Sequence, residues 1–519
     1  MSMLKSKIGW LSLLLVMVLM ITGCSNEETS SKSETSSEGT SSDSQKEMSI
    51  HMHYSDQNVF KDDWLVFEEA AKLTGVTLKG TASQTASNSD EVFNLMMASG
   101  DIPDIVHTYI KNFNQYGPEG AFIPLNDLIE EHAPNIKKAL EENDVARKLI
   151  TSPDGNIYNI PFIRDGKSEE GWFIRTDWLE NLGLDAPETT EDYYNVLTAF
   201  KNDDPNGNGK ADEIPFVARR LIYFTDLMYL WGAYDALYLQ DGEIKYGPME
   251  DEFLDAVKNL AKWYNEGLID QEVFTRGKNA IVELAGSNTL GAAHDWFGSA
   301  ANVNAVYKED IPGFAFEVIA PPTNTKGEKF EETLRNAVGE FGWGISHSNE
   351  DPVATIKYFD FWLSEEGRRL MNFGVEGLTY TMEDGKPTFT EEVLSAGNVP
   401  QNLKDTYGVQ SEIGFQQDFT YEEDWMDPVA KEGIQLYDDS GYYIEEDFPQ
   451  LSFTPEEQER VNALETSLTT YFEENFQKWI LGASDVDKDI DAFRKQLTKL
   501  GVDEYLEIQN TAFERFNNN

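Results

Sequence analysis

Residues 203–216 read DDPNGNGKADEIPF, and this stretch concentrates carboxylate and amide side chains around two glycines. Carboxylate and amide oxygens are the ligands that Ca²⁺ prefers, and a winding loop can present them at alternate positions. The stretch has no histidine or cysteine, which favours Ca²⁺ over zinc or copper, and a site lined wholly by protein argues against magnesium. The alternative is a solvated turn, because Asn, Asp, Gly and Pro are common in turns. Several oxygens in register favour the cation site, and nothing here indicates catalysis.

The spacing of these oxygens follows an EF-hand loop that begins at Asp204. Gly209 falls at position 6, where such a loop makes its sharp turn, and Gly207 adds backbone freedom. Position 12 usually holds a bidentate Glu but is Pro215 here, so we expect Glu213 to replace that carboxylate. The candidate Ca²⁺ ligands are the side chains of Asp204, Asn206, Asn208, Asp212 and Glu213 and the backbone carbonyl of Lys210.

The N-terminus carries the pattern of an export signal. Two lysines precede an apolar run over residues 8–21, and ITGC at residues 21–24 ends the run with small residues and a cysteine. The run is short for a helix that spans a bilayer, although a short transmembrane anchor is the alternative. The ITGC tetrapeptide resembles a bacterial lipobox, which implies that residues 1–23 are a lipoprotein signal peptide and that Cys24 carries fatty acyl groups such as palmitate.

Cys24 is the sole cysteine of the chain, which excludes a disulfide framework and a cysteine metal site. Residues 25–46 contain no aliphatic or aromatic side chain, so we expect the segment 24–47 to be a disordered tether. These features predict a lipid-anchored protein at the extracellular face of the bacterial cell membrane.

The charge balance restricts the partners of the folded body. The chain has 519 residues, of which 41 are basic and 93 are acidic, for a formal net charge of −52. Such a charge repels nucleic acid and anionic lipid headgroups. We therefore expect no nucleic-acid partner and favour a neutral or cationic ligand, although a local basic pocket could override the overall field.

The hydrophobic pattern predicts an α/β body. Residues 48–54 alternate as a strand, residues 61–73 have helical spacing and residues 76–78 begin a second strand, which together indicate a βαβ unit with a right-handed crossover. Thr189 and Asp192 match a capping box at the start of another helix. Further strands are predicted at residues 104–109 and 172–175, and further helices at residues 90–99, 253–266, 352–372, 456–481 and 485–500.

Three segments resemble one known family. They are WFIRTDWLENLGL at residues 172–184, APETTEDYYNVLTAFK with the loop that follows it, and NFGVEGLTYTM at residues 372–382. They are similar to the large lipoprotein solute-binding components of bacterial carbohydrate ABC importers. These are extracellular solute-binding proteins of family 1, in the branch with alginate-oligosaccharide binders and LplA-like lipoproteins. The resemblance runs from the lipobox to the C-terminal helices and implies a structural Ca²⁺ at the six loop positions named above.

The resemblance also implies a fold, namely a two-lobe α/β fold of the periplasmic-binding-protein type II. Such a fold has discontinuous lobes, an interlobe ligand cleft and a helical C-terminal region. Crossovers between the lobes are expected at residues 156–171, 319–322 and 373–378. The predicted N-terminal lobe comprises residues 48–165 and 321–373, and the predicted C-terminal lobe comprises residues 166–320 and 374–519.

The implied function is the capture of an oligosaccharide by a monomeric receptor that delivers it to an ABC transporter permease in the membrane. Sugars bind on flat aromatic faces that are flanked by polar groups. We therefore favour aromatic residues in loops rich in glycine or acid, together with residues at the carboxyl ends of predicted parallel strands. In relatives, the loop that carries Trp296 and the GVEGLTY segment line the cleft. The candidate ligand-binding residues are Trp172, Trp296, Trp425, Glu376, Tyr380, Tyr54, Asp56 and Tyr109.

Two other functions stay open. An extracellular calcium-stabilised glycoside hydrolase needs only two carboxylates about 5 to 10 Å apart, and 93 acidic residues make any such pair uninformative. A peptide-binding or structural surface lipoprotein is the other alternative. The resemblance to a binder and the absence of GxSxG, HExxH and Walker patterns favour a protein that is not an enzyme. His51 and His53 share one strand face and could ligate a metal, although such a pair is more often a packing or surface feature.

Overall fold

The computed structural model describes residues 46–518 apart from residues 55–58, 83–87, 167–169, 333–334, 397 and 445–447. The predicted signal peptide, Cys24 and nearly all of the predicted tether lie outside the described residues. The first strand begins at Lys46, so the folded body starts two residues earlier than predicted. Within the described ranges, no helix combines the length and the apolarity that are needed to cross a membrane.

The strands form two sheets and two hairpins. They are β1 (Lys46–Met52), β2 (Val76–Gly80), β3 (Ile105–Tyr109), β4 (Ile160–Ile163), β5 (Glu170–Arg175), β6 (Ile214–Val217), β7 (Leu237–Gln240), β8 (Glu243–Tyr246), β9 (Leu290–Trp296), β10 (Phe316–Ile319), β11 (Val338–Ile345), β12 (Tyr380–Glu383) and β13 (Lys386–Phe389).

Helices cover both sheets and form the C-terminal end of the described chain. They are α1 (Leu65–Thr74), α2 (Ser89–Ser99), α3 (Ile110–Tyr116), α4 (Asn126–His132), α5 (Pro134–Glu142), α6 (Asp144–Ile150), α7 (Thr176–Leu182), α8 (Thr190–Asn202), α9 (Leu221–Thr225), α10 (Asp251–Asn265), α11 (Ala280–Gly286), α12 (Phe297–Tyr307), α13 (Pro352–Trp362), α14 (Glu365–Phe373), α15 (Glu391–Leu394), α16 (Val399–Asn402), α17 (Thr420–Trp425), α18 (Pro428–Ser440), α19 (Pro455–Ile480), α20 (Val486–Leu500) and α21 (Val502–Asn518).

The first lobe is built on a mixed sheet with the strand order β2-β1-β3-β11-β4. β1 is parallel to both β2 and β3, and α1 connects β1 to β2, so the predicted βαβ unit is confirmed. β11 lies antiparallel between β3 and β4, although it is far from both in the sequence. Buried side chains such as Ile50, Ile105 and Trp343 join these strands in one hydrophobic core.

The second lobe is built on a sheet with the strand order β10-β5-β9-β6. β5 is antiparallel to β10 and β9, whereas β6 is parallel to β9. The predicted capping box is confirmed, because the Thr189 and Asp192 side chains each accept the other residue's backbone N–H at the start of α8. The apolar face of α8 is buried in a core that is separate from that of the first lobe.

The predicted helical C-terminal region is confirmed by α19, α20 and α21. Their apolar faces belong to the core of the second lobe. Phe253 on α10 stacks on Phe493 of α20 with ring centroids 6.2 Å apart. The C-terminal helices therefore extend the second lobe and do not form a separate domain.

One helix prediction is wrong in detail, because residues 352–372 form two helices. Ser364 lies between α13 and α14, and its hydroxyl accepts the Gly367 backbone N–H at 3.1 Å. A serine in this position caps the start of a new helix and ends the preceding one.

The third crossover lies later than predicted. Phe389 packs on Phe373 and Tyr421, at 5.5 and 5.8 Å between ring centroids, and all three rings belong to the first-lobe core. Met426 is buried in the second-lobe core. The chain therefore changes lobe between residues 421 and 426, and the prediction that residues 374–421 belong to the C-terminal lobe is wrong. The remaining lobe boundaries stay predictions.

Candidate functional site

A cavity of about 660 Å³ is lined by residues of both lobes. β1 and β3 end at this side of the first lobe, and Tyr109, the last residue of β3, lines the cavity with Lys111. Leu221 and Ile222 of the second lobe line it shortly after the end of β6. Ligands of open α/β sheets bind outside the carboxyl ends of parallel strands, so this is the candidate ligand site.

Tyr109 lines the first-lobe side of the cavity and packs against the Phe341 ring, which lies behind it in the sheet pairing. The Tyr109 ring lies 4.7 Å from the Phe341 ring, and the His53 imidazole stacks on Phe341 at 4.8 Å between centroids. The Lys111 ammonium lies 5.2 Å from the centre of the Tyr109 ring. Tyr109, predicted from its strand-end position, lines the cavity. Phe341 was not predicted, because β11 brings it beside Tyr109 only through tertiary pairing, and His53 was considered only as a possible metal ligand.

Trp296 is the last residue of β9 and is 38% exposed. It lies at the edge of the second-lobe sheet where the parallel strand β6 also ends. The carboxylate of the preceding residue, Asp295, accepts the Trp296 backbone N–H at 2.7 Å. Arg219 donates two hydrogen bonds to Asp295, from Nε to Oδ2 and from Nη2 to Oδ1, each of 2.7 Å. This bidentate pair fixes the backbone that presents the Trp296 indole.

Three predicted ligand residues lie in the cores. Trp172, Tyr54 and Tyr380 are 1%, 5% and 4% exposed. Trp172 belongs to β5, an inner strand, and its ring meets His294 edge-on at 5.1 Å. Tyr380 packs on Phe373 at 6.0 Å. These three side chains are almost fully covered in this conformation and do not line the cavity, so their contact with a ligand stays a prediction.

The other predicted ligand residues, Glu376, Trp425 and Asp56, differ in exposure and in location. Glu376 is exposed on a turn whose backbone bridges to β12. Trp425 is half-buried where the chain changes lobe, and its indole lies over Gly298, at which a Cβ would come within 3.7 Å of the ring. Asp56 lies outside the described residues. The structure therefore brings Tyr109 to the cavity and leaves the contacts of Trp425 and Glu376 with a ligand as predictions.

The 203–216 loop winds around its own side-chain oxygens. The Asp204 carboxylate accepts the backbone N–H groups of Asn208 and Gly209, both at 3.0 Å, and Asn206 Oδ1 accepts the Asn208 N–H at 3.0 Å. Gly209 has φ of +74°, a conformation that glycine adopts without strain. The backbone therefore makes the sharp turn that the sequence predicted at this position.

Glu213 is the last candidate ligand of this loop, and its surroundings indicate whether the loop residues fit a cation. It is 9% exposed, and neither of its carboxylate oxygens has a hydrogen-bond partner among the described residues. Burial raises the pKa of Glu213, and the nearby carboxylates of Asp212 and Asp204 add to the effect. A buried carboxylate without partners is costly unless a cation compensates it, so the loop fits a Ca²⁺ ion.

A second polar cluster is buried in the second lobe. Glu170, Asp226 and His294 bring three possible metal-ligand atoms within 4.8 Å of one another. His294 lies between two carboxylates, with Nδ1 at 3.0 Å from Asp226 Oδ2 and Nε2 at 3.0 Å from Glu331 Oε2. The sequence offered no signal for this cluster, because its members are far apart in the chain.

Three groups of this cluster have pKa values above their ordinary values. Burial and the Asp226 carboxylate raise the pKa of Glu170 to about 9, and burial raises that of Asp226 to about 6. Burial lowers the pKa of His294, but the Glu331 and Asp226 carboxylates outweigh this effect and leave it well above its ordinary value.

Comparison with known proteins matches residues 53–369, more than half of the chain, to the family described as bacterial extracellular solute-binding protein. The fructooligosaccharide ABC transporter substrate-binding protein FusA of Streptococcus pneumoniae serotype 4 is 28% identical over 484 residues, which cover 88% of this chain and 87% of FusA.

Two solved structures are similar along most of the chain. A crystal structure of the alginate-binding protein AlgQ2 without calcium ion has a TM-score of 0.79 and 40% identity, and covers 91% of this chain and 99% of AlgQ2. An EF-hand mutant of S. pneumoniae FusA in complex with fructo-nystose has a TM-score of 0.71 and 25% identity, again over 91% of this chain and 99% of that one.

Proposed function

We propose that this chain, which belongs to the bacterial extracellular solute-binding protein family, is the receptor of a carbohydrate ABC importer and captures a neutral oligosaccharide between its two lobes. The receptor role follows from its similarity to the substrate-binding proteins of sugar transporters. The observation that carries the oligosaccharide assignment is the interlobe cavity of about 660 Å³. That volume lies in the usual range for a site that encloses a small organic ligand.

The lining of the cavity suits a sugar chain. Aromatic rings and side-chain amides both line it, and both are typical of sites that stack sugar faces and satisfy hydroxyl groups. The aromatic members are Tyr109, Tyr246, Phe448, Phe453, Phe472 and Tyr505, and the amides are Asn114, Gln450, Gln458, Asn462 and Gln509.

The charge of the lining favours a neutral ligand over an anionic one. Lys111 is the one cation among the described lining residues, and it faces four carboxylates, those of Asp235, Glu340, Glu465 and Glu473. A negative field inside a cavity repels acidic sugars. This agrees with the overall charge of −52.

Capture proceeds by closure of the lobes. A ligand that touches both lobes stabilises the conformation in which both sets of contacts are made, so binding shifts the population towards the closed state. The three connections between the lobes supply the flexible segments. The closed, loaded protein then docks on the permease, and the ATPase is a separate chain.

The 203–216 loop binds a structural Ca²⁺ in this proposal. The candidate ligands are the six groups named from the sequence, and the partnerless carboxylate of Glu213 supports the assignment. FusA has an EF-hand that was mutated, and AlgQ2 was solved without calcium ion, so calcium chemistry is relevant to both relatives. The ion stabilises the second lobe and does not touch the sugar.

The protein acts as a monomer at the cell surface in this proposal. The lipobox-like ITGC segment supplies the anchor through Cys24, and the polar segment that follows it links the anchor to the folded body. A lipid anchor keeps the receptor near the permease that it serves.

The rival function is hydrolysis of the same sugars, and one assay separates the two. The protein is incubated with a panel of neutral oligosaccharides, and both its melting temperature and the released sugars are measured. We expect a melting-temperature increase with at least one oligosaccharide and no change in the oligosaccharide profile. Shortened products would establish an enzyme and overturn the proposal.

A further inference from the structure

The buried cluster of the second lobe lies where two interlobe connections meet β9. Glu170 begins β5 directly after the first connection, and Glu331 belongs to the second connection, between β10 and β11. The Glu331 backbone N–H donates to the Tyr442 carbonyl at 2.7 Å, which ties it to a third segment of the chain. Glu170, Asp226, His294 and Glu331 are only 1% to 4% exposed.

His294 is the one member of the cluster that can carry a positive charge, and it pairs with both Asp226 and Glu331. The cluster holds three carboxylates and one imidazole, and none of its carboxylates forms an ion pair with Lys or Arg in the described part of the chain. The nearby guanidinium of Arg219 is already bound by both oxygens of Asp295. One buried oxygen of Glu170, Oε1, has no hydrogen-bond partner among the described residues. One imidazole cannot compensate three buried carboxylates, so the cluster must hold either a further proton or a metal cation.

The geometry of His294 matches that of a metal ligand. Glu331 Oε2 lies 3.0 Å from Nε2, which leaves Nδ1 on the side of Asp226. Metal-bound histidines commonly donate their second ring N–H to a carboxylate in this way. The 3.0 Å between Nδ1 and Asp226 Oδ2 is close to the separation of about 3.3 Å expected for neighbouring ligands of a tetrahedral ion at ~2.0 Å.

We propose that Glu170, Asp226 and His294 form a buried divalent-metal site, and that Glu331 orients His294 as its hydrogen-bond partner. One imidazole with carboxylates is a donor set of Zn²⁺ and not of Ca²⁺, which takes oxygen ligands only. The site is therefore chemically distinct from the 203–216 loop. Its role is structural, because a bound ion would cross-link Glu170 at the end of one interlobe connection to β9, while Glu331 holds the other connection to the same histidine.

Zinc binding is measured by calorimetry on the full chain after chelation and saturation of the loop with Ca²⁺. We expect one tight Zn²⁺ per chain and a higher melting temperature with Zn²⁺. Glu331→Gln removes the orienting carboxylate, which typically weakens metal affinity about 10- to 100-fold. Glu170→Gln preserves size and shape, removes a ligand charge, and is expected to weaken Zn²⁺ binding at least about 10-fold.

The matched control is His347→Gln, because His347 is exposed at the surface and far from the cluster in the fold. Its Zn²⁺ affinity should equal that of the wild type. The site would be rejected if the wild type bound no Zn²⁺ more tightly than Glu170→Gln does, in which case protons alone hold the cluster together. Sugar binding is not a readout here, so this test stands apart from that of the proposed function.

Discussion

The rings of Tyr109 and Phe341 lie 4.7 Å apart, and Tyr109 lines the interlobe cavity, although the two residues are more than two hundred positions apart in the sequence. β3 and β11 pair these two residues directly in an antiparallel register. The two rings are tilted by 40° to each other, and Tyr109 is the member of the pair that lines the cavity and provides an aromatic face for a sugar ring.

Tyr109→Ala should weaken oligosaccharide binding without unfolding the protein. Tyr109 is only half-buried, so its removal costs little packing, whereas a stacked aromatic at a binding site typically contributes about 1 to 2 kcal/mol, or roughly 5- to 30-fold in Kd. The control is Tyr116→Ala, which removes a half-buried tyrosine of the same lobe outside the cavity lining. Equal affinities of the two variants, measured by calorimetry, would remove Tyr109 from the site.

Trp296→Ala and Trp172→Ala should separate binding from stability. Trp296 is 38% exposed and Trp172 is 1% exposed. We expect the first change to lower affinity with little change in the free energy of unfolding, and the second to lower that free energy by about 3 to 5 kcal/mol. Denaturant titration and calorimetry measure both quantities. If Trp296→Ala bound sugar as tightly as the wild type, that side chain would have no part in the cleft.

Asp204→Ala should lower the melting temperature in Ca²⁺ and abolish its dependence on Ca²⁺. A ligand that binds only the folded state stabilises by RT ln(1 + [L]/Kd), so losing the site removes that increment. Asp203→Ala is the matched control, because Asp203 precedes the first EF-hand position at Asp204 and is not a predicted ligand. Affinity for sugar should survive in both variants. A calcium-dependent melting temperature in Asp204→Ala would show that the ion binds elsewhere.

Acid should destabilise the protein through His51 and His107. Burial lowers the pKa of each imidazole from 6.5 to about 4. Between these pH values the unfolded chain binds protons that the folded chain excludes, so stability is retained above pH 6.5 and lost as pH falls towards 4. Each shift is equivalent to about 3 kcal/mol at most.

The variant His51→Leu tests this pH dependence. Both ring nitrogens of His51 are buried without a hydrogen-bond partner among the described residues, so leucine loses no such bond. The free energy of unfolding of His51→Leu should fall less steeply between pH 6.5 and 4 than that of the wild type. The partly exposed His132→Gln serves as the control and should keep the wild-type slope. Identical slopes in all three proteins would refute the assignment.

Local patterns predicted the parts of the fold that depend on neighbouring residues. The capping box of Thr189 and Asp192 and the βαβ unit from residue 48 onward both rest on short-range spacing, and both are present. The helix at residues 352–372 was predicted as one element because Ser364 as a cap is a weak signal in an otherwise apolar pattern. The late third crossover depends on Phe389 packing on Phe373, which no local pattern reveals.

The candidate site was only partly predictable for the same reason. Tyr109 was found because strand ends are informative about ligand position. Trp172 was chosen as a ligand residue because it follows the predicted first crossover, whereas the structure places it on β5, which is covered on both sides by neighbouring strands. Phe341 and the His294 cluster arise only from tertiary pairing, so residue types and spacing could not have located them.

The central claim is that the interlobe cavity holds a neutral oligosaccharide. It is tested most directly by native mass spectrometry of the wild type and Tyr109→Ala after incubation with a mixture of neutral and acidic oligosaccharides. We predict one neutral oligosaccharide per wild-type chain and a strongly reduced complex for Tyr109→Ala. Selection of an acidic oligosaccharide, equal loading of both proteins, or no oligosaccharide on the wild type would contradict it.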